Sequence, residues 1–246
     1  MVVAPPGFEP GSRDPKSRML DRYTTGLSKI FNAKRGFIMV LERYLRQEKL
    51  LDQDVLSRKR ALVVGAGGLG NFVATELVLA GVGHVTVVDP DVVKVHNLNR
   101  QFLFAEGDVG QPKARVIARR LAELNPTVEV LGIIGSWRDV NVNHYDVVFD
   151  CMDIWEEKRE LMRKRSGTIV FGSVGDSIGM VSVLLHKRLP FEKISGGRQV
   201  LAAQVGIVGS IMALEGLREL NEVPSPLRDR LLHIDFRRML FTVLEV

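Results

Sequence analysis

The chain has 246 residues, 46% of them hydrophobic and 26% charged, with a formal net charge of +5. Those proportions suit one globular α/β domain, with or without an appendage, and exclude a wholly disordered chain. No apolar run reaches the ~18 residues of a membrane span, and no secretory signal is expected from the Pro-, Gly- and charge-rich start. The single cysteine, Cys151, excludes an intrachain disulfide and a zinc site of four cysteines. It fits a reducing compartment, and a cytoplasmic setting is expected.

The positive charge is unevenly placed. Residues 1–38 carry seven Lys/Arg and three Asp/Glu, a net of +4, whereas the remainder carries 27 against 26, a net of +1. A nucleic-acid footprint needs a basic face on the folded part, so this distribution argues against nucleic acid as a partner. Residues 1–38 show neither a helical nor a strand period and read as a disordered or dispensable extension. Amphipathic sequence begins at Met39, a candidate start, and residues 39–246 are expected to form the domain.

Residues 40–59 have apolar side chains at Leu41, Tyr44, Leu45, Leu51, Val55 and Leu56, near helical spacing. "RALVVG" is a short β-branched strand, and "GLGNFVATELVLAGVG" a helix closed by Gly81 and Gly83. "HVTVVD" is a second strand ending at Asp89, followed by a long irregular loop over 90–111. "PKARVIARRLAELN" is a helix, with Pro112 near its first position and Asn125 at its end. "VEVLGII" and "YDVVFD" are the third and fourth strands, "IWEEKRELMRKR" a helix and "TIVFGSV" the fifth strand. "MVSVLLH" reads as a strand, "KRLPFEKISGGRQ" as a loop and "AAQVGIVGSIMALEGLREL" as a helix rich in small residues. "LLHIDFRRMLFTVLEV" reads as a terminal strand or hairpin. Apolar strands alternating with helices predict a Rossmann-like, doubly wound, mostly parallel sheet with antiparallel C-terminal strands.

Gly65, Gly67, Gly68 and Gly70 form a strand–GxGGxG–helix turn, where backbone N–H groups can approach phosphate oxygens at the positive end of a helix. Asp89 follows Gly70 by 19 residues and ends the next strand, where a carboxylate accepts from ribose hydroxyls. An adenosine-containing ligand follows, with two candidates: a nicotinamide dinucleotide or ATP. The next segment favours ATP. Arg100 and Lys113 flank the long loop, and two cations beside a polyphosphate stabilise charge building on leaving pyrophosphate. Asn97, Asn99 and Gln101 add neutral hydrogen-bonding groups.

Several stretches together resemble the ThiF/MoeB/HesA family, relatives of the adenylation domains of ubiquitin-activating enzymes. They are "RYLRQ" at 43–47, "VVGAGGLG" at 63–70, "VVDPDVVKVHNLNRQ" at 87–101, "VGQPKA" at 109–114, "LNP" at 124–126, "VFDCMD" at 148–153 and "GIVGSIMALEGLREL" at 206–220. The resemblance implies ATP with magnesium, and adenylation of the C-terminal Gly-Gly carboxylate of a ubiquitin-like sulfur-carrier protein by a homodimer. By the same resemblance the glycine loop, Asp89, Asp91, Asn97, Arg100, Gln101 and Lys113 hold the nucleotide. Asp153 holds magnesium, a hard cation that prefers carboxylate oxygen. Arg46, on the leading helix, reaches into the partner subunit's site. The chain lacks the two CxxC pairs and the loop cysteine that many members carry, and has Ile154 where an Asn usually follows the Asp. Thioester transfer is therefore not implied, whereas adenylation is. Cys151 reads as a small buried residue rather than a nucleophile. Rival readings are a family member acting on tRNA threonylcarbamoyl-adenosine (a dehydratase), a nicotinamide oxidoreductase, and a nucleotide-binding scaffold without turnover.

Overall fold

Short β-branched runs separated by helices, most of them closed by Gly or Asn, fold into alternating strands and helices. The structure is a computed structural model and describes residues 42–185 and 199–245. Two units are distinguished, residues 1–45 and 46–246. Of the first, only residues 42–45 are described, so the expected boundary at residue 38 lies outside the described residues, as does most of the loop 187–199.

In the second unit, eight strands form one sheet in the order β3-β2-β1-β4-β5-β6-β7-β8. They are β1 (Arg60–Val64), β2 (His84–Asp89), β3 (Glu129–Ile134), β4 (Val147–Asp150), β5 (Ile169–Gly175), β6 (Ile178–Leu184), β7 (Arg230–Asp235) and β8 (Leu240–Glu245). β3, β2, β1, β4 and β5 are mutually parallel. β5 to β8 pair antiparallel. This is the mixed sheet expected from the sequence. The described α-helices are α1 (Gln53–Leu56), α2 (Gly68–Ala80), α3 (Lys113–Leu124), α4 (Trp155–Lys164) and α5 (Ala202–Leu220).

Alternation along the strands divides the core between the two faces. Ala61, Val63 and Phe149 join one buried cluster with residues of α2, α3 and α5. Leu62, Val64 and Val148 join a second, with Trp155 and Leu161 of α4. Strand order reverses at β1, with β2 and β3 to one side and β4 to the other. In such sheets the crevice beyond the carboxyl ends of the strands at the reversal is where ligands bind. Here the glycine loop leaves β1 and the Asp150–Asp153 segment leaves β4 at that point.

The leading helix differs from expectation. Residues 44–50 form turns, and α1 is one short turn capped by Asp52, whose carboxylate accepts from the N–H groups of Asp54 and Val55. Asp52 N–H donates to Asn221 Oδ1, and Gln47 Nε2 donates to Ala80 O and Gln53 Oε1. An aspartate in mid-period offers the backbone a cap in place of a helical bond, and these tertiary hydrogen bonds fix the break. The loop over 90–111 is more ordered than its composition suggests. It holds 3₁₀ turns at Val95–Asn97 and Glu106–Asp108, and Val92 bridges Pro112 across its base.

Candidate active site

The glycine loop has two different reasons for its glycines. Gly65 adopts φ +99, a left-handed conformation that L side chains rarely take. A Cβ on Gly70 would lie 1.9 Å from Gly65 O, so its hydrogen is what lets α2 start directly above the turn. Gly67 differs: it is extended, and a Cβ there would meet nothing nearer than Gln101 Nε2 at 3.9 Å. No side chain caps α2, so its first-turn N–H groups have no partner within the helix. Asn71 braces the loop from inside. It is buried, its Nδ2 donates to Ala66 O and Gly67 O, and its Oδ1 accepts from Leu103 N–H.

Asp89 is tied to this loop. Its Oδ2 accepts from Ala66 N–H at 2.6 Å and its Oδ1 from Asp91 N–H at 2.8 Å. Burial raises its pKa above the ordinary carboxyl value, opposed by the Lys113 charge and by those two donors. Each oxygen keeps a lone pair for a further donor.

The long loop returns on itself and places a cation beside this acid. Lys113 N–H donates to Asp91 O, Val93 N–H to Gln111 O and Gly110 N–H to Val93 O. Lys113, first residue of α3, is thereby held with Nζ 2.9 Å from Asp91 Oδ2. The lysine side chain is 7% exposed and the aspartate 60%. The structure pairs Asp91 with Lys113 and leaves its carboxylate largely exposed. Arg100 reaches the loop as well: its Cγ lies 3.7 Å from where a Gly68 Cβ would stand, and its Nη1 donates to His96 O and Asn99 Oδ1. Gln101 is buried beside Gly67, and its Oε1 has no hydrogen-bond partner among the described residues. Asn97 is buried and accepts from Lys94 N–H, capping the 3₁₀ turn that presents Arg100.

On the β4 side, a Cβ on Gly65 would lie 2.9 Å from Cys151 O and 3.4 Å from Met152 N, so this segment abuts the glycine loop. Asp153 follows, exposed and without a hydrogen bond among the described residues, just before the start of α4. Ile154, where a polar residue was expected from the family pattern, is also exposed. Cys151 is buried and its thiol is pushed well above the ordinary range by desolvation, which leaves no accessible thiolate. Arg46 is exposed within the turns at 44–50, not on a helix, and no hydrogen bond or ion pair joins it to the glycine loop among the described residues.

The geometry therefore gathers the glycine loop, Asp89, Arg100, Gln101, Lys113 and the segment bearing Asp153 at one sheet crevice. A family model described as "ThiF family" matches residues 41–246. The chain belongs to the ThiF family. It is 36% identical to the sulfur carrier protein adenylyltransferase of Thermus thermophilus over 84% of this chain and 87% of that one. It is 31% identical to the molybdopterin-synthase adenylyltransferase of Haemophilus influenzae over 74% and 83% of the two chains. A structure of Escherichia coli MccB with ATP shares the fold, with a TM-score of 0.72 and 17% identity over 96% of this chain and 80% of that chain.

As a ThiF-family site, this one includes residues that the sequence reading passed over. Asn71 was detectable as an amide on a mostly apolar helix. Asp150 and Lys158 form a buried ion pair under β4. Lys158 was visible as a cation on the stripe of Trp155 and Leu161, three residues from each.

Proposed function

We propose that the chain adenylates the C-terminal Gly-Gly carboxylate of a ubiquitin-like sulfur-carrier protein, with ATP as co-substrate. The observation that carries this is that Arg100 packs against the glycine loop and the Lys113 charge acts on Asp89, the acid bonded to that loop. The names of the relatives supply the class: both are adenylyltransferases, one named for a sulfur carrier protein and one for molybdopterin synthase.

The chemistry is a displacement at the α-phosphorus. A carboxylate oxygen of the carrier forms the new P–O bond, the bond to the bridging oxygen breaks, and pyrophosphate leaves with the electron pair. The carboxylate is ionised at neutral pH, so no general base is required. The protein's part is to bring two anions together and to stabilise charge moving toward the leaving group. In this reading the first-turn N–H groups of α2 and the Arg100 and Lys113 side chains bind phosphate oxygens, Gln101 Oε1 finds a donor on the ligand, and Asp89 accepts from the ribose.

The residues present fit magnesium. Among the described residues no group of three or more His, Cys, Asp or Glu side chains is placed to hold a metal ion alone. Magnesium bound with a nucleotide takes one or two carboxylates and completes its shell with phosphate and water, and Asp153 supplies such a free carboxylate. When bound, the ion would neutralise phosphate charge.

A homodimer with Arg46 acting in the partner's site also belongs to this proposal, supported by the "RYLRQ" match and by the exposure of Arg46. A fully active monomer would remove it. A cytoplasmic setting is supported by the single cysteine, and no helix among the described residues is long and apolar enough to cross a membrane. ATP–pyrophosphate exchange with small Gly-Gly-ended carrier proteins tests the central reaction. Exchange should appear with an intact carrier and vanish when its last two glycines are removed. Retained ATP binding without exchange for any carrier would instead favour a scaffold.

A further inference from the structure

Lys158 and Asp150 are 3% and 0% exposed, and Lys158 Nζ stands 3.1 Å from Asp150 Oδ1. The same ammonium donates to Gly172 O at 2.8 Å, approaches Asp150 O at 3.4 Å and lies 4.8 Å from the centre of the Phe171 ring. One side chain of α4 thus joins the carboxyl end of β4 to its neighbour β5. Burying both charges is costly, and apolar residues of similar volume often serve stability as well or better. The pair therefore calls for a reason other than stability.

Its position supplies one. Asp150 Oδ1 also accepts from Met152 N–H at 3.2 Å, so one carboxylate oxygen anchors both the turn after β4 and the helix that follows. Ile154, the N-cap of α4, makes no side-chain cap, so the helix start is not fixed in the usual way. The anchor sits one turn inside, at Lys158. Between the two anchored ends stands Asp153, whose carboxylate has no hydrogen bond of its own among the described residues. Its placement must come from the segment that bears it.

We infer that the Asp150–Lys158 pair is a positioning device for Asp153: it closes residues 150–158 into a fixed turn and sets where that carboxylate stands beside the glycine loop. The inference rests on the role proposed above for Asp153 at the reacting phosphate. Lys158 and Asp150 touch no substrate in this scheme.

The test uses the full chain. Lys158→Met alone strands a buried carboxylate and risks unfolding, so the deciding variant is Asp150→Asn with Lys158→Met, which removes both charges. In that variant, amide hydrogen exchange across residues 151–155 should quicken by about tenfold or more, while β1 and α2 keep their protection. In pyrophosphate exchange, kcat should fall by about tenfold or more with KM for ATP within about threefold, the pattern of a group displaced from the reacting centre but not from binding. Unchanged amide exchange at 151–155, or a kcat within about twofold of the parent, overturns the inference. Should the parent chain exchange no pyrophosphate with any carrier, the proposed function falls, and the amide-exchange arm decides the positioning role alone.

Discussion

Gly67 and Gly70 are three residues apart in one loop, yet substituting each by alanine should give opposite results. Gly67 has φ −75 and ψ −159, which alanine adopts freely, and its Cβ would have 3.9 Å of clearance. Nothing in the protein requires glycine there. Losing a glycine from the unfolded chain stabilises by about 0.4–1 kcal/mol. For a domain near 200 residues that raises Tm by about 1–4 °C. A Cβ at Gly67 nevertheless projects beside the first turn of α2, where phosphate oxygens would approach. Pushing the ligand off one charge-assisted hydrogen bond costs about 1.5–3 kcal/mol, an affinity loss of about tenfold or more.

Gly70→Ala reverses this. Its Cβ would start 1.9 Å from Gly65 O and needs more than 3 Å, so loop and helix must separate by over an ångström. Overpacking against backbone costs about 2–3 kcal/mol, or a fall of about 4–12 °C in Tm. Thermal unfolding and ATP calorimetry on both variants read the four quantities. If Gly67→Ala binds ATP within about twofold of the parent, phosphate approach is not why glycine stands there, and the nucleotide loop has been misassigned.

Asp153→Ala should lower kcat for pyrophosphate exchange by about 10²-fold or more while ATP affinity changes by less than about threefold, because the carboxylate matters most as charge moves; equal losses in both would make it a binding or structural residue. Cys151→Ser should leave pyrophosphate exchange within about threefold of the parent, since the buried thiol takes no part; abolished exchange in a folded variant would overturn that. Burial raises the Glu76 carboxyl above its ordinary value of 4.5, outweighing the hydrogen bond from Ser210. Its contribution to stability is then present below pH 4.5 and lost as pH rises through the folded value, so Glu76→Gln should gain stability relative to the parent as pH rises above about 4.5 in urea titrations.

The strands and four of the five described helices were legible because their physical causes are local. Apolar, β-branched runs of four to seven residues alternating with helices leave little alternative to a covered, mostly parallel sheet. The leading helix was not legible, because the period over 40–59 says nothing of Asn221, whose side chain holds Asp52 from 169 residues away. The glycine loop and Asp89 could be paired by spacing alone. The ion pair under β4 could not: the stripe of Trp155 and Leu161 marks Lys158 within "EEKRE", but no spacing names Asp150, a strand end, as its partner. Only the return of α4 across β5 buries the lysine.

Asp91 shows the same limit within the site, and also a way past it. In the sequence it is the second acid of "DPD", and the family resemblance implies a nucleotide contact. In the structure its carboxylate holds Lys113 Nζ at 2.9 Å, and the backbone of the two residues is bonded as well. The two roles predict different couplings. If Asp91 acts only by aiming the Lys113 ammonium, its effect passes through that one group, and removing the lysine first should leave nothing for it to do. Asp91→Ala should then lower kcat/KM for pyrophosphate exchange by about three- to thirtyfold, Lys113→Met by about 10²-fold or more, and the double variant no further than Lys113→Met. If Asp91 meets the nucleotide itself, the two losses should multiply. Lysine suits the aimed role: its ammonium has three donors on a rotatable stem, so one can stay with Asp91 while the others face phosphate. A multiplicative double variant would return Asp91 to the ligand and leave Lys113 to be placed by the backbone bond to Asp91 O alone.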